Sequence, residues 1–564
     1  MPDYNPFSHS FGRTAQRGLS WISKLARQPL ATYALYVFVF ADGLLLRTIG
    51  LGRSLWLDEI WVANSVIAPT LRGMFYYEAW LQISPPLFLL LVRFSVITFG
   101  LANWVLRLTP LLMGLLSVII MVALARRLLS PQHALLASVM FVLSPTALEF
   151  SRALKQYSSE LAAATGILLF SILYLERASL RRFCLLVTGI VTGLLLAYPA
   201  VFLLPGAVLT VLCVPARPYS IGSRLETFQL NRWARAAVLG ALGAGTLMAE
   251  NFLFIAPNTS SALKMLYVLH HGSNGFGRIV GSDYSILLLN LPLGRRMTGK
   301  LPFVGAAVAL LLVVGAILAY LRFLRGRRKW LQVQAICIIP CILLVTADSF
   351  SRYPLVQRTS LFTLPFVVLL VVSCIQLVCN FVVSSSARHI WLKAICRISL
   401  LGLTLIVIRV GFVSPAEPWL KMPYEDMDGA VSFLRTEVKA NDILWVHAST
   451  VEGFKLYARM KHWNDAPVRY GHTGWPCCPR GISNIRGASA EDAVRKDIAD
   501  GIPQKFAGRV WLLYTMRTAH WELVGLDEPE IIKAVLAERG CLQQPTADFN
   551  HIGVSLFDCG SPPE

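Results

Sequence analysis

The sequence is poor in charged residues, and this scarcity limits what the protein can be. Asp, Glu, Lys and Arg make up 15% of the 564 residues, against about 25% in an average soluble domain. Hydrophobic residues make up 55%, and the mean hydropathy is +0.57. A water-soluble fold cannot hide so much apolar surface, so the composition excludes a soluble protein and favours one that lies in a lipid bilayer.

Two sequence patterns are also missing, and carboxylates are rare. No Cys and His spacing typical of a metal site occurs. No repeat of fixed length is evident, which counts against a transporter built from two similar halves. Residues 1–413 contain only 12 Asp and Glu side chains. A carboxylate in this part of the chain is therefore worth asking about individually.

Long apolar runs fill the first three quarters of the chain. Examples are Leu30 to Leu46, Leu108 to Ala125 and Phe303 to Leu321. A helix of about 20 such residues crosses a hydrocarbon core of roughly 30 Å. The sequence predicts an α-helical polytopic membrane protein.

The net charge of +20 divides unevenly between two predicted domains. Residues 1–413 hold 36 basic and 12 acidic side chains, whereas residues 414–564 hold 16 basic and 20 acidic ones. The basic residues of the first part cluster in short connections, as the positive-inside rule expects of cytoplasmic loops. Membrane lipids therefore explain the positive charge, and no nucleic-acid partner is expected.

Loop charges also predict how the chain is threaded. Basic residues before Leu30 place the N-terminus in the cytoplasm. The apolar stretch Leu87 to Phe99, opened by Pro85 and Pro86, either crosses the membrane or lies flat at its outer surface. Only the flat arrangement leaves the later basic loops inside. It predicts about eleven spans and puts the domain of residues 414–564 outside the membrane.

Most carboxylates of the membrane part then fall at the outer face. Asp58 and Glu59 are adjacent in an otherwise apolar segment just after the first span. Two readings stay open, because such acids cap helix N-termini and also serve as catalytic groups in water-filled cavities. We favour the catalytic role. Other acids that could support it are Glu78, Glu149 and Glu160.

Basic side chains of the outer face could bind an anion. Arg152 and Lys155 lie in one short turn, and Arg352 and Arg358 lie in another. Arginine suits bidentate phosphate binding, and lysine acts as a point charge. The alternative is that these side chains snorkel at the membrane interface.

Residues 414–564 alternate strand and helix signals, which predicts a small α/β domain. Strand-like runs occur at Ile443 to His447, Val510 to Tyr514 and Val554 to Phe557. A disulfide between Cys541 and Cys559 is expected if this domain lies in an oxidising compartment. The domain either binds an acceptor or serves as a structural cap, and the sequence does not choose.

Four motifs of the membrane part occur in a characteristic order. They are Asp58-Glu59, Ser84-Pro85-Pro86-Leu87, Leu106-Arg107-Leu108-Thr109-Pro110 and Ser151-Arg152 through Tyr157. Together they resemble the glycosyltransferase C superfamily, in particular the branch similar to protein O-mannosyltransferases and aminoarabinose transferases. The resemblance covers residues 30–410 and agrees with a flat helix in the first external loop.

The resemblance implies roles for the outer-face charges. Asp58 would be the base that deprotonates an acceptor hydroxyl, with Glu59 in support. The donor would be a sugar on a polyprenyl phosphate, and the acceptor a glycan, a lipid or a protein. Displacement with inversion would release the lipid phosphate, whose charge needs stabilising. The phosphate-binding candidates, two stronger and two weaker, are Lys155 and Arg358, then Arg152 and Arg107.

One position departs from the family pattern. Relatives often carry an acid in the second external loop, where this chain has Ala153. Glu149 or Glu160 could substitute, or no second acid is needed. The departure counts against a metal requirement, so we expect no cofactor, although a divalent metal stays open.

Two other classes of function stay open. A transporter or flippase of a lipid-linked sugar predicts polar residues midway through spans, where Asp42 is nearly alone. A structural scaffold leaves the Asp58 and Glu59 pair unexplained. The lack of an endoplasmic-reticulum retrieval tail favours a bacterial inner membrane, with the C-terminal domain in the periplasm.

Overall fold

A computed structural model describes most of the chain. The described residues are 30–76, 83–213, 231–258, 302–325, 329–350, 352–385, 390–413, 424–471, 488–516, 527–545 and 547–560. The helices of the membrane part are Leu30–Thr48, Leu108–Leu128, Pro131–Val142, Pro145–Phe150, Tyr157–Glu176, Leu180–Leu196, Tyr198–Leu203 with Leu204–Leu212, Arg232–Glu250, Pro302–Leu324, Lys329–Ser349, Leu364–Ser385 and Ile390–Val413. Between the first two of these lie the shorter helices Leu57–Val66, Leu71–Phe75, Pro86–Phe99 and Asn103–Leu106.

Several of these helices can cross a membrane. Within the described residues, five combine sufficient length with an apolar composition: Leu108–Leu128, Tyr157–Glu176, Arg232–Asn258, Trp330–Ser349 and Leu361–Val383. The protein is therefore a multi-pass membrane protein, as its composition predicts. The total of about eleven spans stays a prediction.

The ambiguous apolar stretch forms the helix Pro86–Phe99. Its 14 residues span about 21 Å, which is short of a roughly 30 Å hydrocarbon core. One face packs against the helix Leu57–Val66, while Phe94 and Ile97 on the opposite face are exposed. This geometry agrees with a helix that lies flat at the membrane surface.

The core of the membrane part forms around the helix Tyr157–Glu176. Leu108–Leu128 and Leu180–Leu196 pack against it, and many of its side chains are buried. Close packing depends on small residues, because a Cβ added at Gly193 would lie 2.8 Å from Cδ1 of Ile167. The helix therefore holds the short turn that precedes it, residues 151–156, in a defined place.

The C-terminal part is the small α/β domain that the sequence predicts. Its strands are β1 (Ile443–Val446), β2 (Val468–Tyr470), β3 (Gly508–Thr515), β4 (Leu542–Gln543), β5 (Ala547–Asp548) and β6 (Ile552–Cys559). They lie in the order β2-β1-β3-β6-β4, with β5 also paired to β6. β1 pairs in parallel with β2 and β3, whereas β6 runs antiparallel to β3. The helices are Met427–Glu437, Val451–Met460, Ala488–Gly501 and Glu528–Glu538.

The cysteine pair expected in this domain is bonded. Cys541 follows the last helix, Cys559 ends β6, and a disulfide joins them. The bond ties the helix Glu528–Glu538 to the sheet. Disulfides persist in oxidising compartments, so the pairing agrees with a domain outside the cytoplasm.

The C-terminal domain and the loop after the helix Leu30–Thr48 share one hydrophobic core. Leu55, Ile60 and Val62 of the loop are buried in the same cluster as Met427 and Phe454 of the domain. The two parts must lie on the same side of the membrane, since their side chains are in contact. The domain is therefore packed directly on the segment that carries the adjacent carboxylates.

Candidate active site

Asp58 is the partly exposed carboxylate among the charged residues predicted for the outer face. It is the second residue of the helix Leu57–Val66, and 22% of its side chain is exposed. Its Oδ2 lies 3.3 Å from Nη1 of Arg358, which comes from the turn before the helix Leu364–Ser385. The Arg358 side chain is 43% exposed. This ion pair is open to solution, so a ligand can reach both partners.

Lys155 stands beside this pair. It lies in the turn between the helices Pro145–Phe150 and Tyr157–Glu176 and is half-buried. Burial lowers the pKa of Lys155, the Asp58 carboxylate opposes that shift, and the Arg358 guanidinium adds to it. The structure therefore brings together one carboxylate and two cations from three separate segments.

Glu59 differs from Asp58 in its burial and in its ion-pair partner. Its side chain is fully buried. It forms a bidentate ion pair with Arg107, at 3.0 Å to Nε and 2.6 Å to Nη2, and Oε1 accepts the Leu154 N–H at 2.5 Å. Burial raises the pKa of Glu59, but the charges of Arg107 and Arg53 and the hydrogen bonds from Arg107 and Leu154 together hold it below its usual range. The Glu59 side chain is therefore less accessible to a substrate than that of Asp58, and its supporting role stays a prediction.

Arg107 and Arg152 donate hydrogen bonds to the backbone of the turn that follows the helix Leu30–Thr48. The Arg107 guanidinium is fully buried and donates to the carbonyls of Leu51, Arg53 and Ser54 as well as to Glu59. These bonds hold the turn in place and occupy every nitrogen of the group. Arg107 therefore has no free donor for a phosphate.

Arg152 also binds backbone carbonyls, but its Nη2 has no hydrogen-bond partner in the described part of the chain. Its side chain is buried, and it donates to the carbonyls of Leu148 at 3.2 Å and Ile49 at 3.1 Å. All the guanidinium N–H groups of Arg107 are paired, which counts against phosphate binding by this residue, whereas phosphate binding by Arg152 stays a prediction. An arginine at a span boundary looks the same in sequence whether it snorkels, binds phosphate or holds a turn.

The three possible supporting acids have different surroundings. Glu78 lies outside the described residues. Glu149 is half-buried and stands within reach of the charges of Arg53 and Arg152. Glu160 is buried, and its Oε2 has no hydrogen-bond partner in the described part of the chain. No group of three His, Cys, Asp or Glu side chains suited to a metal occurs among the described residues. That the protein needs no metal stays a prediction.

Comparison with known families finds a partial match. Residues 84–230 match the family described as dolichyl-phosphate-mannose-protein mannosyltransferase. The match includes the turn of Lys155 and excludes Asp58 and Arg358. It covers a minority of the chain, so it supports the resemblance without defining the family of the whole protein. No curated protein sequence matches the chain.

Solved structures resemble the chain over almost its whole length. ArnT from Cupriavidus metallidurans in the apo state is 15% identical, with a TM-score of 0.51, over 94% of this chain and 100% of that one. The same protein bound to undecaprenyl phosphate is 13% identical, with a TM-score of 0.50, over 93% of this chain and 97% of that one. These likenesses show the fold. The chain has the glycosyltransferase C fold that its motifs imply.

Proposed function

We propose that the protein is an integral membrane glycosyltransferase that moves a sugar from a polyprenyl-phosphate donor to an acceptor hydroxyl on the outer face of the membrane. The proposal rests on the partly exposed ion pair of Asp58 and Arg358, whose charges also act on the half-buried Lys155. A carboxylate beside two cations suits a reaction that takes a proton at one end and releases a phosphate at the other. The glycosyltransferase C fold supports it.

In the proposed reaction, Asp58 accepts the proton of the acceptor hydroxyl. The hydroxyl oxygen attacks the anomeric carbon from the side opposite the lipid phosphate, the bond to the phosphate oxygen breaks, and the configuration inverts. Lys155 and Arg358 stabilise the charge of the departing polyprenyl phosphate. Atoms and charge balance, because the proton ends on the carboxylate and the electron pair on the phosphate.

The Asp58–Arg358 pair adds an ordering step to this proposal. Arg358 Nη1 lies 3.3 Å from the Asp58 carboxylate. A lipid phosphate competes for the same guanidinium, and Arg358 binds phosphate well because of its planar fork of donors. Donor binding would then free Asp58 for the acceptor, so the base becomes available only when a sugar is present.

The expected setting is the inner membrane of a bacterium, with the N-terminus in the cytoplasm and the C-terminal domain in the periplasm. The disulfide between Cys541 and Cys559 and the shared core of this domain and the first loop support that orientation. The acceptor is a glycan, a lipid or a protein.

The proposal is tested by asking which lipid the protein carries and what it does with it. We expect mass spectrometry of the purified protein to detect a polyprenyl-phosphate sugar. When the protein is incubated with membrane extracts and with this lipid carrying a radiolabelled sugar, the label should pass to an acceptor. Movement of the intact lipid-linked sugar across the vesicle bilayer without sugar transfer would support a flippase instead.

A further inference from the structure

The backbone just before Asp58 needs hydrogen-bond acceptors that its own sequence does not supply. A helix leaves its first N–H groups without partners, and an N-cap side chain with an oxygen usually accepts one of them. Trp56 occupies the N-cap of the helix Leu57–Val66, and an indole offers only a donor. Glu59 Oε2 accepts the N–H of Trp56 at 3.3 Å, which leaves the neighbouring Leu55 and Leu57 to be satisfied.

The C-terminal domain supplies both missing acceptors. Glu425 Oε2 accepts the N–H of Leu57 at 2.8 Å, and Tyr457 Oη accepts the N–H of Leu55 at 2.7 Å. Glu425 is 4% exposed and Tyr457 is fully buried. The Tyr457 bond is therefore buried and the Glu425 bond partly buried, and an unmade hydrogen bond in such surroundings is costly.

Tyr457 is itself held in position by a short network. Its hydroxyl donates to Asn103 Oδ1 at 3.1 Å, and Asn103 Nδ2 donates to Asp428 Oδ2 at 3.1 Å. The Asp428 N–H donates to Ser54 Oγ at 3.1 Å, which returns the network to the loop. Loop and domain are thus joined by a closed set of directional contacts in addition to apolar packing.

We propose that Glu425 and Tyr457 are positioning residues for Asp58, which makes the C-terminal domain part of the catalytic apparatus. Leu57 directly precedes Asp58, so fixing its N–H fixes the start of the helix and the direction of the carboxylate toward Arg358. A negative side chain at a helix N-terminus is also favourable because of the helix dipole. The inference rests on the proposed function for its catalytic meaning, whereas the capping itself is independent of it.

Hydrogen exchange tests the capping without any substrate. The full-length protein in nanodiscs is compared with Glu425→Ala, Glu425→Gln and Tyr457→Phe, and with Glu491→Ala as a matched control on the same domain. We expect the amides of residues 55–60 to exchange about ten- to a hundredfold faster in E425A. E425Q, whose amide oxygen still accepts, and E491A should resemble the wild type.

Steady-state transfer then tests the catalytic meaning. We expect kcat of E425A and Y457F to fall about tenfold or more, because small misplacements of a reacting group are costly. KM for the lipid donor should change little, since Lys155 and Arg358 are untouched. E425Q should recover most of the lost kcat, a rescue that general destabilisation would not give.

Clear results would overturn the inference. Exchange at residues 55–60 that is equal in E425A, Y457F and E491A would remove the cap, and a kcat of E425A equal to that of E491A would remove its catalytic role. If E425A does not fold, Y457F alone decides, because it removes a single hydroxyl. If the wild type transfers no sugar, the proposed function fails, and hydrogen exchange still judges the cap.

Discussion

Replacing Glu59 with Gln should destabilise the protein strongly. The substitution keeps the shape of the side chain but removes its charge, which leaves the fully buried Arg107 guanidinium without a counter-charge. Breaking one partner of a buried ion pair costs about 3–5 kcal/mol. The amide also presents only one oxygen, so at least one of the bonds to Arg107 and Leu154 is lost.

A matched substitution is available elsewhere in the chain. Glu176 also pairs bidentately with an arginine, Arg127, at 2.7 Å for both bonds, but these side chains are 32% and 40% exposed. Such an exposed pair contributes about 0–1 kcal/mol. Glu176→Gln therefore controls for the chemical change while removing the burial.

Thermal unfolding of the detergent-solubilised protein measures the difference. We expect the Tm of E59Q to fall by several degrees and that of E176Q to stay close to the wild type. Adding Arg107→Met should recover part of the loss, because it removes the buried charge that Glu59→Gln leaves unpaired. The recovery is partial, since Arg107 also holds three backbone carbonyls. Equal Tm values for E59Q and E176Q would refute this reasoning.

Other outcomes follow from the same contacts. The pKa of Glu59 is lowered in the folded protein, so the stabilisation from this carboxylate is present above its unfolded pKa of about 4.3 and is lost as pH falls through its folded pKa. Measuring Tm at decreasing pH should show this loss in the wild type and not in E59Q. Arg358→Ala should weaken binding of polyprenyl phosphate by about ten- to a hundredfold, measured by isothermal titration, and unchanged affinity relative to Arg352→Ala would contradict the phosphate role. Reducing Cys541–Cys559 should cost the C-terminal domain about 2–4 kcal/mol, seen as earlier denaturant unfolding of that domain; a midpoint unaffected by reductant would count against it.

The broad architecture could be predicted because it follows from composition and period. Apolar length indicates membrane helices, and alternating signals indicate β1, β3 and β6 in the C-terminal domain. That the helix Pro86–Phe99 lies flat at the membrane surface stays a prediction from the loop charges. The short strand β2 was missed, since three residues carry little pattern, and the helix Met427–Glu437 was missed as well. Patterns of this kind grow reliable with the length of the element.

The site could be predicted only in part, because burial decides the role of each charge. Asp58 and Glu59 are adjacent and look equivalent in sequence, yet one is partly exposed and the other fully buried. The helix turns by about 100° between neighbouring residues, so one side chain meets Arg358 and the other Arg107. Nothing local indicates which cation lies where, since these partners are distant in sequence.

The role of the C-terminal domain was hidden for a related reason. Glu425 and Tyr457 act on backbone N–H groups, which carry no residue identity and leave no motif. Trp56 is a clue in the sequence, since its side chain has no acceptor atom and yet it occupies the N-cap of a helix with two acids in its first turn. Such an N-cap indicates that an acceptor comes from elsewhere in the chain.

The central claim is that Asp58 is the base of a sugar transfer. The most direct measurement is single-turnover transfer from a radiolabelled polyprenyl-phosphate sugar by the wild type, Asp58→Asn and the exposed control Asp500→Asn. We expect D58N to bind the lipid donor but to transfer the sugar at least about a hundredfold more slowly than the wild type. D500N should match the wild type. Transfer by D58N at the wild-type rate would contradict it.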